Sequence, residues 1–106
     1  MEHAPVHIVD TAIVGVADHR RFLALVRDEI VPAMRDAGVA CLGVLASSPE
    51  IGEDVEVQVT WQVADHQAWN VARRDFFLDP RWHAASARAK ALRKGGKRRF
   101  LYPAQD

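Results

Sequence analysis

The chain has one cysteine, Cys41, and that scarcity excludes two classes at once. A disulfide framework needs pairs and a thiolate metal site needs several ligands, so Cys41 reads as a small buried hydrophobe on a strand. There is no Glu-x-x-His motif, nucleophile elbow or phosphate loop. Metal and nucleotide roles are therefore not expected. Net charge is also missing, with 14 Lys and Arg against 14 Asp and Glu, so no overall field points to nucleic acid or an anionic membrane. No apolar run approaches the ~18 residues that cross a bilayer, and no basic start leads into an apolar leader. A soluble, cytoplasmic protein is the expectation, with residues 1–106 forming a single domain.

What is present is an internal duplication. The segment Val16-Ala17-Asp18-His19-Arg20-Arg21-Phe22 is echoed by Val63-Ala64-Asp65-His66-Gln67-Ala68-Trp69, each at the end of a strand-like run and the start of a helix-like one. Ala37-Gly38 and Gly95-Gly96 then precede two further strand-like runs, 39–47 and 97–104. The order β-α-β, β-α-β follows. Val55, Val57, Val59, Trp61 and Val63 alternate with Glu56, Gln58, Thr60 and Gln62, the period of a strand with one apolar and one polar face. Aligning the halves puts Ile8, Asp10, Ala12 and Val14 on the equivalent face of the first strand, where Asp10 is the odd residue.

Asp18 and Asp65 are the expected N-caps, and Phe22 and Trp69 fold back over the helix starts. The first helix runs to about Asp36, bent by Pro32 and ended by Gly38. The second half is longer by 11 residues, because Asp18 to Gly38 spans 20 positions and Asp65 to Gly96 spans 31. Asp79-Pro80 accounts for the surplus by stopping one helix and capping another. Strand two is apolar on both faces, with Cys41 and Leu45 on one and Leu42, Val44 and Ala46 on the other. The predicted fold is an α+β sandwich with an antiparallel sheet in the order 4-1-3-2 and a hairpin through residues 49–54. Helices cover one face of such a sheet, and the same face of a second subunit is the natural cover for the other, which predicts a homodimer.

Trp61, Asp65-His66, Trp69, Arg73-Arg74, Leu78-Asp79-Pro80-Arg81-Trp82 and the closing Leu101-Tyr102-Pro103 resemble the NIPSNAP family of the ferredoxin-like, dimeric α/β-barrel superfamily. That family has a strand Trp, a helix with paired arginines, an Asp-Pro-x-Trp break and a last strand ending near Pro. The resemblance covers about residues 57–104, and the first half in general layout. It implies a dimeric α/β barrel. The superfamily also holds cofactor-independent monooxygenases, lactone isomerases, polyketide cyclases and haem-binding enzymes.

Asp10 is the sharpest candidate for chemistry, since a carboxylate facing the helices is desolvated and becomes a usable general base or acid. A bulge at Gly15 would instead turn it outward. Arg73, one turn beyond Trp69, is the candidate for holding a ligand oxygen, and His83 a further catalytic candidate. Trp61, Trp69, Trp82 and Tyr102 either enclose a flat ligand or serve as core. His19 and His66 read as solvated helix starts, His7 as an interface residue, and the basic stretch 90–99 as a solvated turn and edge strand, with anion binding as its alternative. The expectation is a homodimeric enzyme acting on an aromatic or polycyclic metabolite by proton transfer, without a bound cofactor. The alternative is a non-catalytic protein that binds a small molecule or stabilises a partner.

Overall fold

The computed structural model describes residues 4–49 and 53–104. Its elements are β1 (Val6–Gly15), α1 (His19–Leu25), a π-helical turn (Val26–Ile30), α2 (Val31–Asp36), β2 (Ala40–Ala46), β3 (Asp54–Val63), α3 (His66–Phe77), α4 (Pro80–Leu92) and β4 (Arg93–Leu101). The strands form one antiparallel sheet in the order β2-β3-β1-β4, a ferredoxin-like α+β fold. The shortest dimension is 17 Å, the thickness of one sheet and one helical layer.

The duplicated strands face each other in the centre of the sheet. Ile8 pairs with Trp61, Asp10 with Val59, Ala12 with Val57 and Val14 with Val55, so all eight side chains share the face under the helices. Seven of them, all but Asp10, belong to one apolar core with Phe22, Leu25, Met34, Trp69 and Phe76. The β1–β4 ladder does bulge, but the extra residue is Lys94 of β4, opposite the step from Ile13 to Val14, and Asp10 keeps its place toward the helices.

Pro32 acts on the first helix through a π turn rather than a simple bend. Proline offers no N–H to the Asp28 carbonyl and its ring crowds that oxygen; the wider turn over Val26–Ile30 leaves Pro32 in the first turn of α2, where its missing N–H costs nothing. Gly38 then ends α2 at φ 96°, with its N–H bonded to the Arg35 carbonyl and that of Val39 to the Met34 carbonyl, both at 2.9 Å.

Three expectations need correction. Asp65 caps α3 by accepting from the Ala68 N–H at 2.7 Å, but Asp18 makes no such bond. Its backbone is helical rather than extended, and its carboxylate pairs with Arg21. In β2 a bulge at Leu42 moves Cys41 to the helix face, opposite Trp61, while Leu45 stays on the open face opposite Gln58. Gly95 and Gly96 form no turn: α4 passes directly into β4, and both glycines pair within the strand. The hairpin of residues 49–54 has its tip, 50–52, outside the described residues.

The helix break is fastened by Arg81. Asp79 accepts the Arg81 backbone N–H at 2.9 Å and its guanidinium at 2.8 Å, while the same guanidinium reaches Asp36 at 2.8 Å. These bonds hold the Asp79 carboxyl below the ordinary carboxylate range. They also tie the start of α4 to the end of α2.

The unequal caps give a differential test. Asp65→Ala should lower the unfolding free energy by about 1 kcal/mol in urea titrations, through loss of a capping bond. Asp18→Ala should cost no more than about 0.5 kcal/mol, the scale of an exposed ion pair.

Candidate functional site

Between the sheet and the helices lies a cavity of about 460 Å³. It exists because small side chains meet there. Ala12, Val57 and Val59 form the sheet side, Ser86 and Ala89 the facing part of α4, and Gly96 the β4 side. A Cβ at Gly96 would lie 3.0 Å from the Thr11 carbonyl and 2.8 Å from Arg93 Nη1, so only glycine fits without displacement. Phe22, Val26 and Ile30 close the cavity from α1 and the π turn, and Phe77 and Trp82 close it from the helix break. Trp82 is held in place by Phe76 and Phe77, with ring centroids 4.8 and 5.1 Å away.

Asp10 is the one carboxylate in this lining. Its Oδ1 accepts from Arg98 Nε at 2.6 Å, and its Oδ2 accepts from Arg98 Nη2 at 2.9 Å and from Trp61 Nε1 at 3.0 Å. The fork of the guanidinium matches the carboxylate, and register explains why they meet: Asp10 and Arg98 are directly opposite on β1 and β4. Trp69 supports the pair from outside the cavity, with the Arg98 guanidinium 5.3 Å from its ring centroid.

Asp10, Trp61 and Trp82 are thus brought together in one lining, while the other candidates stand elsewhere. Trp69 is buried beneath Arg98, against Phe76 and Phe100. Arg73 is exposed on α3, outside the lining. His83 is also exposed and is bonded to the Phe77 carbonyl, on the outer side of the Asp79-Pro80 break. Tyr102 lies beyond the end of β4, its hydroxyl 3.3 Å from His66 Nδ1. His7 contacts Gln62 at 3.3 Å on the open face of the sheet, and His19 Nδ1 is 2.7 Å from the Val16 carbonyl at the start of α1.

Arg98 is a lining residue whose place beside Asp10 sequence reasoning missed. The signal for Arg98 was present, since an antiparallel β1–β4 pair puts a cation of the basic stretch beside Asp10. His3 and His7 are four apart, which suits ligands on a helix, but His7 is in a strand and His3 lies outside the described residues. Among the described residues no three His, Cys, Asp or Glu side chains are grouped to hold a metal ion. No helix among them is long and apolar enough to cross a membrane.

The NIPSNAP family model matches residues 17–106. This chain belongs to the NIPSNAP family. Two solved NIPSNAP family proteins from Agrobacterium tumefaciens, one described as of unknown function, superpose with TM-scores of 0.79 and 0.80 at 20% and 21% identity. The first alignment covers 99% of this chain and 93% of the other, the second 98% and 90%. A putative antibiotic biosynthesis monooxygenase from Caulobacter crescentus superposes with a TM-score of 0.68 at 18% identity, over 98% of this chain and 93% of that one. At these identities the likeness is one of fold. No match arises among curated proteins.

The pairing at Asp10 predicts an unequal effect of neighbouring arginines. Arg98→Ala strips a carboxylate that is only 28% exposed of its charged partner and should destabilise the protein by about 1–3 kcal/mol. Arg99→Ala, on the open face, should change stability by about 0.5 kcal/mol or less in the same denaturant titration.

Proposed function

We propose that the protein is a small homodimeric enzyme that acts on an aromatic or polycyclic metabolite by cofactor-independent proton transfer, of the cyclase, isomerase or monooxygenase type. The observation that carries this reading is the Asp10 carboxylate standing beside aromatic and aliphatic walls, in a cavity whose other charged lining residues are all cations. A carboxylate offers about four acceptor sites. Arg98 and Trp61 occupy three, leaving one on Oδ1 for a proton from an acidic C–H or a phenol. Abstraction leaves a negative charge delocalised over the substrate, and the Arg98 guanidinium is the adjacent group that offsets it. In this scheme Arg98 takes the charge-stabilising role that Arg73, outside the cavity, cannot serve from its present position. Trp61 and Trp82 would enclose the rings.

The homodimer is supported by the open face of the sheet. Leu45 is 67% exposed and Leu101 44% exposed, among the polar side chains of His7, Gln58 and Gln62. A second copy placed sheet to sheet would cover them, completing a dimeric barrel. The half-buried free thiol of Cys41 suits a reducing, cytoplasmic setting.

One observation favours the non-catalytic reading, in which the same cavity only binds its ligand or steadies a partner. Three bonds to Asp10 hold it in a settled pair before any ligand arrives.

Screening planar aromatic metabolites for consumption separates the two. Asp10→Asn should reduce turnover of an accepted substrate by about 10²- to 10⁴-fold while leaving the fold intact by circular dichroism. Saturable binding without turnover by the wild-type protein would favour the binder instead. Light scattering at micromolar concentration should return twice the chain mass of 11.8 kDa, and a monomer would remove the barrel from the scheme.

A further inference from the structure

The cavity's charge is one-sided. Arg98 is balanced by Asp10, but the lining also includes Lys90 and Arg93, and neither is ion-paired among the described residues. Both sit where the chain passes from α4 into β4. Ser86 and Lys90 are one helical turn apart on α4, and Arg93, the first residue of β4, joins them in the lining. Arg93 is opposite Val14, on the helix face, and its Nη1 lies over Gly96, whose missing side chain makes room for the guanidinium. Lys97 contributes differently: it is opposite Thr11 and its side chain belongs to the open face. Toward the cavity, then, three cations face one carboxylate that is already paired.

The geometry points to an anionic ligand: a planar aromatic acid whose ring lies among Trp61, Phe77 and Trp82 and whose carboxylate or other acid group is held by Lys90 and Arg93. This rests on the aromatic-pocket reading above and adds the charge of the substrate to it. An apolar cavity with an unpaired cationic rim favours a ligand with an apolar body and an acidic edge, because a neutral ring leaves both cations without a partner. Asp10 does not oppose this binding, since Arg98 offsets its charge.

The test is calorimetric titration of the full-length protein with 2-naphthoate and with its neutral amide, 2-naphthamide, at low salt. The acid should bind about tenfold more tightly than the amide, the difference shrinking as salt is added. The double substitution Lys90→Gln with Arg93→Gln should abolish that preference while leaving the amide's affinity unchanged, which also shows that the pocket remains folded. Equal binding of acid and amide overturns the charge assignment and leaves the aromatic pocket standing. A preference that survives the double substitution also overturns it, because the acid group is then held elsewhere. If neither compound binds, the aromatic-pocket reading fails and takes this one with it.

Discussion

A carboxylate on the buried face of a sheet cannot stand alone, and the site is organised around that constraint. Asp10 lies among valines and alanines on the face that carries the core. Its charge is tolerable because a cation arrives from the neighbouring strand and an indole N–H from the other side. This sets demands on three elements at once. β4 must pair with β1 in a register that puts Arg98 opposite Asp10, β3 must offer Trp61, and α3 must place Trp69 against the guanidinium. The bulge between Ile13 and Val14 lies beyond this point, so the irregular part of β4 does not disturb it.

The cavity follows from unequal halves. In the first half one helical stretch, eased by a π turn, runs from His19 to Asp36; in the second, two helices meet at Asp79-Pro80. A single stretch laid beside a broken pair does not fill the layer evenly, and the gap falls where Phe22, Val26 and Ile30 face Trp82, Ser86 and Ala89. Arg81 joins the two halves at this level by holding Asp36 and Asp79 together. The walls therefore come from both halves, although the carboxylate comes from the first alone; the residue aligned with Asp10 in the second half is Val57.

The parts legible from sequence are those written in period and repetition. Alternation in β3 and the echo at Val16 and Val63 specify the sheet order and put Asp10 under the helices, because side-chain direction in a strand has a fixed period of two. What escaped was what interrupts a period. An extra residue at Leu42 reverses the faces of one end of β2, and nothing in its composition announces it. Gly95-Gly96 has the signature of a turn yet lies in a strand, where Gly96 answers to close packing against Thr11 and Arg93. Asp18 matches Asp65 in its surroundings, yet a different backbone angle gives its carboxylate to Arg21. The importance of Arg98 depended on a pairing 88 residues away in the chain, beyond any local window.

The bulge at Leu42 has a bearing on how copies of this protein meet. An open sheet has two unpaired edges, and each is a template on which another strand can add without limit. Here β2 is one edge, and its bulge breaks the regular row of N–H and C=O groups that such addition needs. β4 is the other, where Lys97 and Arg99 set like charge against like charge in any approaching copy. Runaway edge-to-edge growth is discouraged on both sides by different means, which leaves the broad surface of the sheet as the place where a finite, closed assembly can form.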